Sequence, residues 1–422
     1  MTFPRKNEWL FSLSMFFHFF SIIAIFWILK TLKKGTFIAF YDAQNFELFN
    51  HVFSPAQTEI FAKGFNVLNS IVVMLVISIC SGIFKQKKFF LVMNSIMILF
   101  LATTALAFNP HSELSVWNLY LLGDLYVMTM VPCFLSFLND SVSSSTAKRL
   151  YGFICLGGVV GGAFGSSSVR GFIDKLQITD WLFVCIGISI VLTLLSLTTK
   201  TLDCEKDIIA VKGERMNDQT SALRGVKKVF SSSYLTGIML LVFLYEIVSA
   251  TIDFQFTSLT SMTLSGSELK GHFASVYTMI NWVAVCVQFV LTPVLLTKAG
   301  IRTTLLILPA LLAIGSSAFL CFPFLMIASL LPIVDNGLNY SLNQSAREVL
   351  YTIAPSRYSA KAFIDVFVNR FAKIVALVLI MGVSLIFVEA DSLRWLSLFA
   401  LFILSIWMFV ASYLGKQFEE KR

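Results

Sequence analysis

The stretch YTIAPSRYSAKAFIDVFVNRFAKIVALVLIMG, Tyr351–Gly382, ends in an apolar run fit to finish a membrane crossing and begins with charge. Lys361, Asp365, Arg370 and Lys373 enter the same helix as that run. Ionisable groups inside a span are costly, so they face protein or water and mark function. At about 100° per residue, Lys361, Asp365, Asn369 and Lys373 trace one arc, with Arg370 beyond its edge. Phe363, Ile364, Phe367, Val368, Phe371 and Ile374 fill most of the other side. The polar arc predicts a water-filled cavity between helices. Lys361 and Asp365 are spaced as an i,i+4 pair. Lys361 equally suits the cytoplasmic end of the helix, paired locally.

The rest of the chain sets the frame. Of 422 residues 57% are hydrophobic and 13% charged, with mean hydropathy +0.81. This composition belongs to a protein that is membrane-embedded throughout. A helix needs about 20 apolar residues to cross. Twelve such segments begin near Trp9, Phe61, Lys88, Val116, Lys148, Thr179, Tyr234, Gly271, Ile301, Phe322, Ser359 and Leu393. The expected fold is an all-α polytopic membrane protein. Its 12 transmembrane helices form two six-helix halves, residues 1–199 and 234–422. A polar cytoplasmic linker, 200–233, joins them, with a surface helix around Ala222–Phe230. Six plus six with a central linker resembles the layout of major facilitator transporters. With both termini cytoplasmic, most Lys and Arg fall in inner loops, as the positive-inside rule requires.

The formal charge of +8 follows these topology signals and implies no nucleic-acid partner. The Cys residues at 80, 133, 155, 185, 286 and 321 lie in apolar stretches; Cys204 does not. No CxxC occurs, so they read as reduced thiols. The scattered His18, His51, His111 and His272 predict no metal site. No cleavable targeting segment is expected. There is no nucleophile–base pair, no soluble catalytic domain and no cofactor motif, which argues against an enzyme. The glycines of YGFICLGGVVGGAFGSSSV, Tyr151–Val169, follow no strand, and helix packing is favoured over ligand contact.

Further polar groups enter the predicted spans. Asp335, Asn339, Asn343 and Arg347 recur every four residues, with Asn336, Tyr340, Gln344 and Glu348 beside them. Such stripes line a cavity or bond between helices. In FWILKTLKKGTFIAFY, Phe26–Tyr41, the first helix either stops at Lys30 or runs to about Tyr41 with Lys30, Lys33 and Lys34 facing a cavity. Asp124, Glu246 and Asp253 are lone acids in apolar segments. Each would offset a buried cation, carry a proton, or mark a helix end. The deep cations outnumber the deep acids, and clustered Lys and Arg suit phosphate or carboxylate. The pattern points to a transporter of an anionic solute.

Three stretches then resemble the bacterial and plastid ATP/ADP translocases, the nucleotide transporter family. In REVLYTIAPSRYSAKAFIDVFVNRFAK these residues are Glu348, Tyr351, Lys361, Ala362, Ile364, Asp365, Val366, Arg370 and Lys373. STAKRLYGF, Ser145–Phe153, is similar to that family's opening of the fifth helix, and LKTLKKGTF, Leu29–Phe37, to its basic stretch in the first. The chain departs at Lys34, where the family has an acid, and at Asp124 and Asp253, where it has glutamates. The resemblance implies nucleotide exchange or proton-coupled nucleotide import, with Lys33, Asp124, Asp253 and Lys361 critical. From the charge pattern, Lys30, Lys34, Arg370, Lys373, Asn339 and Asn343 join the substrate contacts. Glu246, Asp335 and Asp365 join the coupling or charge-balancing groups, and Tyr245, Tyr277 or Trp282 would stack on a base. Another anionic metabolite, carried with protons, is the alternative cargo. The expected setting is the bacterial inner membrane, as a monomer in the lipid bilayer, with a small-molecule anion as partner.

Overall fold

A computed structural model describes residues 6–48, 50–83, 85–142, 144–199, 229–353, 360–361, 363–387 and 389–421. Twelve long helices run through them: α1 (Lys6–Ala43), α2 (Pro55–Ile83), α3 (Gln86–Ala107), α4 (Glu113–Ser141), α5 (Ser144–Phe172), α6 (Ile178–Thr198), α7 (Ser233–Thr263), α8 (Gly266–Cys286), α9 (Gly300–Cys321), α10 (Leu325–Leu338), α11 (Asn369–Ile386) and α12 (Glu389–Lys421). Among the described residues, 11 helices are long and apolar enough to cross a membrane. The tenth is not: it spans 14 residues before the helix passes into a π turn at Asn339. A two-stranded hairpin, β1 (Phe46–Leu48) with β2 (His51–Phe53), is an addition to the all-helical expectation. Apart from Val229 and Phe230, the surface helix expected at Ala222–Phe230 lies outside the described residues.

The chain divides into two compact units. One takes the described residues of Met1–Phe46, Phe61–Gly213 and Ser265–Thr278; the other takes those of Glu47–Ile60, Glu214–Leu264 and Met279–Arg422.

In the first unit α1 is one unbroken helix of 38 residues, so it runs through its lysines and past Tyr41. At about 1.5 Å per residue it is longer than a hydrocarbon core. Helix α5 lies directly on it. A Cβ at Gly157, Gly161 or Gly165 would overlap the carbonyl oxygen of Phe16, Phe20 or Ala24. The glycines repeat every fourth residue and meet α1 residues at the same spacing, a backbone-to-backbone seam that only small residues permit. His18, in α1, takes Ser196 Oγ at 2.8 Å and Ser14 O at 2.7 Å, tying α1 to α6. Asn94 donates to Ser189 O and Thr193 Oγ1, tying α3 to α6. Phe89, Phe90, Phe134, Phe137 and Trp181 fill the core.

The second unit is built on α7. Buried Trp407 of α12 meets Tyr245 edge-on at 5.7 Å, and Gln255 donates to Leu393 O and Ser397 Oγ. Its helices carry π-helical turns. Beyond Cys286, α8 continues through Val287–Leu291 and Leu295–Ala299, on either side of Pro293, which has no N–H for the ladder. The turn into α9 needs positive φ at Gly300, +78°. Helix α10 continues through a π turn at Asn339–Asn343 to Gln344–Tyr351, and α11 opens with one at Phe363–Val368.

Candidate functional site

In the first unit the polar groups gather around α1. Lys33 and Lys34 are buried at 5% and 3% exposure. Lys33 Nζ lies 2.5 Å from Asp124 Oδ1 on α4 and 4.3 Å above the Tyr120 ring. Gly123 makes the room, since a Cβ there would stand 2.7 Å from Lys33 Cδ. Asn66 of α2 donates from Nδ2 to Asp124 Oδ2 at 2.5 Å, so both carboxylate oxygens are held. Lys30 sits over Trp27 at 4.4 Å and Tyr277 at 5.4 Å, a cation among ring faces. Lys34 approaches Phe273 at 5.6 Å. Toward the end of α1, Trp117 donates to Tyr41 Oη, which donates to Glu113 Oε1. A cavity of about 310 Å³ opens beside α1, lined by Thr31, Gly35, Thr36, Gln177 and Lys270 among others.

In the second unit the groups lie on α7, α10 and α11. Glu246 accepts from Asn369 Nδ2 on one oxygen and faces Lys373 Nζ at 3.7 Å on the other. Asn369 and Lys373 stand one turn apart on α11, so both reach the same acid. Asp335 is 1% exposed and accepts from Ser249 Oγ at 2.5 Å, joining α10 to α7. Tyr340 lies in the electrostatic field of Asp335, Lys373, Glu246 and Asp253, which makes it the common neighbour of this cluster. Arg370 is half-buried and has no hydrogen-bond or ion-pair partner among the described residues; its Nε is buried. A second group closes the end of α10. Lys361 Nζ holds both oxygens of Glu348, at 2.5 and 2.7 Å, and Tyr351 donates to Asp365 Oδ1 at 3.2 Å.

The structure corrects one detail of the sequence reading and refines another. Lys361 pairs with Glu348 and not with Asp365 four residues on, because the helix opens with a π turn at Phe363 that breaks the i,i+4 register. The two stripes of α10 also separate. Asp335, Asn339 and Asn343 are buried, with Asn343 Nδ2 donating to Asn339 Oδ1 at 2.9 Å. Tyr340, Gln344 and Glu348 are the exposed set. Among the proposed base-stacking rings, Tyr245 and Tyr277 are buried and Trp282 is exposed.

The sequence reading did not single out Asn66, Ser249 or Asn369 as site residues. Asn369 stands on the polar arc read for its helix, whereas at Asn66 a lone amide in an apolar helix was the only signal. Charge is distributed unevenly. Lys30, Lys33 and Lys34 stand with Asp124 in the first unit, whereas Glu246, Asp253 and Asp335 outnumber Lys373 and Arg370 in the second cluster.

No protein-family model matches this chain. The chain is similar to ADP,ATP carrier protein 1 of Rickettsia bellii, 21% identical over 478 aligned positions covering 96% of this chain and 93% of the carrier. Its fold is that of solved major facilitator-type transporters. The POT family transporter PepTSo superposes with a TM-score of 0.66 at 13% identity, covering 99% of each chain. A D-xylose-proton symporter gives 0.64 at 12%, covering 98% of this chain and 97% of the symporter. The nucleoside transporter NupG gives 0.61 at 14%, covering 98% of this chain and all of NupG. These similar proteins are transporters and not enzymes.

Proposed function

We propose that this chain is a secondary active transporter that moves nucleotides across the bacterial inner membrane by alternating access. The observation that carries the reading is Lys30, Lys33 and Lys34 on one membrane-spanning helix, two of them buried. A lysine inside a span costs up to about 2.5–3.5 kcal/mol on insertion scales, the value at its centre. A phosphate-bearing cargo gives that cost a purpose, through charge-assisted hydrogen bonds. The similarity to an ADP,ATP carrier supports a nucleotide as the cargo. Arg370 and Lys373 add cations, and Lys361 with Glu348 forms a latch at the cytoplasmic end of α10. Asn339 and Asn343, which bond to each other, shape the helix turn beside Tyr340. Both termini are cytoplasmic and the protein works as a monomer.

The acid-rich cluster of the second unit favours one further reading. Asp124, Glu246, Asp253 and Asp335 suit carriage of protons, with Asp365 balancing charge at the inner end. The cargo would then be a nucleotide or another anionic metabolite moved with protons. Labelled ATP uptake into proteoliposomes, empty or preloaded with ADP, with and without a proton gradient, tests both. Uptake that requires internal ADP is the expected result. Uptake driven by the gradient alone establishes symport. Failure of both, in protein shown to be folded, rules out ATP as cargo, and competition by carboxylates and sugar phosphates then identifies the anion class.

A further inference from the structure

Asp124 is held in an arrangement suited to its ionised form. Lys33 Nζ occupies Oδ1 and Asn66 Nδ2 donates to Oδ2, both at 2.5 Å. An ionised carboxylate only accepts, and both of its oxygens receive a donor here. Asn66, however, is incompletely served. It is 4% exposed, and its Oδ1 is buried with no hydrogen-bond partner among the described residues. An unmet buried carbonyl is costly, and native structures rarely keep one without a reason.

The amide has a second orientation. A half-turn of its terminal group exchanges Nδ2 for Oδ1 at nearly the same positions. The carbonyl then faces Asp124 Oδ2, which can donate to it only while carrying a proton. Among the described residues, Asn66 is thus the one neutral group bonded to the acid that can satisfy it in either protonation state. The charged and titratable surroundings leave this role to it. From α1 comes Lys33, with Lys30 and Lys34 a turn or less away; α4 itself contributes Tyr120, beneath the Lys33 ammonium. Helix α2 carries Lys63 and Glu59 on the turns before Asn66, and α3 has no ionisable group beyond Lys88. The second unit repeats the arrangement: Asn369 and Lys373 clasp the two oxygens of Glu246.

We propose that Asn66 is a positioning residue for proton coupling. Its NH2 group holds Asp124 while the carboxylate is ionised and paired with Lys33. Its carbonyl accepts from Asp124 Oδ2–H once Lys33 has turned to the anionic cargo. The exchange balances. One proton from water replaces the lysine's charge at the carboxylate, and one negative charge of the cargo replaces the carboxylate at the lysine. The inference rests on the proton-coupled form of the transporter reading above, but its test needs no cargo.

The measurement is infrared spectroscopy of the full-length protein in lipid at neutral pH, reading the carboxylic-acid C=O band. Lys33→Gln mimics withdrawal of the lysine and is expected to bring out one such band. The band should be absent from K33Q/D124N and shifted to higher wavenumber in K33Q/N66L, where the O–H has lost its acceptor. No band in K33Q, or one that N66L leaves in place, overturns the proposal. A purely structural Asn66 would change stability without moving the band. Should K33Q fail to fold, acidified wild type, D124N and N66L give the same comparison. ATP uptake by the wild type, measured alongside, reports on the cargo separately. Its absence sinks the nucleotide reading, and the band still decides the role of Asn66.

Discussion

Arg370 is the residue at which cargo binding and stability separate most cleanly. It has no hydrogen-bond or ion-pair partner among the described residues, so its replacement breaks no hydrogen bond or ion pair there. A hydrogen bond to a charged group contributes about 1.5–3 kcal/mol, which is roughly a tenfold or larger change in apparent affinity. Arg370→Gln is therefore expected to raise the KM for the anionic cargo at least about tenfold while leaving the detergent melting temperature near that of the wild type. An unchanged KM would remove Arg370 from the substrate path. Lys33 is the contrary case, because losing it removes the ion pair that holds Asp124, so Lys33→Gln should lower the melting temperature as well as impair uptake. The cations and acids themselves were legible in the sequence, since each interrupts an apolar run. Their partners were not. Lys33 meets Asp124, and Lys373 meets Glu246, only after helices distant in the chain have packed. Asn66 was illegible for the same reason, and Asn369 was read on the polar arc but not its partner: what an amide does depends on the group it touches.

At the scale of the element, the α1–α5 seam has the strictest geometry. Gly161 stands so close to Phe20 O that any side chain must force the two backbones apart. Gly152, on the same helix, has nothing within 4 Å of where its Cβ would be. Gly161→Val should cost more than the about 1–3 kcal/mol typical of overpacking, seen as a lower melting temperature and loss of folded protein. Gly152→Ala should melt like the wild type. Equal effects at both positions would mean that the seam does not bear on stability. The helices were legible from hydropathy to within a few residues at most starts, and α1 resolved its own ambiguity by running on to Ala43. The π turns were not. A proline such as Pro293 marks a missing donor, but the ladder meets that loss by a kink, a break or a π turn according to the packing around it.

For the whole molecule, length, composition and the six-plus-six spacing carried the fold, because a bilayer admits few solutions for a chain this apolar. Similarity to transporters of the same fold at 12–14% identity shows how little sequence that solution demands. The charged α1 has a consequence for how the protein is made. Synthesis proceeds from the N-terminus, so Lys30, Lys33 and Lys34 enter the membrane before Asp124, and α1 precedes the glycine face of α5 that will cover it. During that interval the first helix is the least content in lipid. Pulse-labelled chains ending at Ala107 should be cleared faster than chains ending at Ser141, which include the acid; equal lifetimes would refute this. With that difference in lifetime, the ion pair at Lys33 would be a checkpoint in biogenesis, α1 being secured when α4, its third companion, arrives.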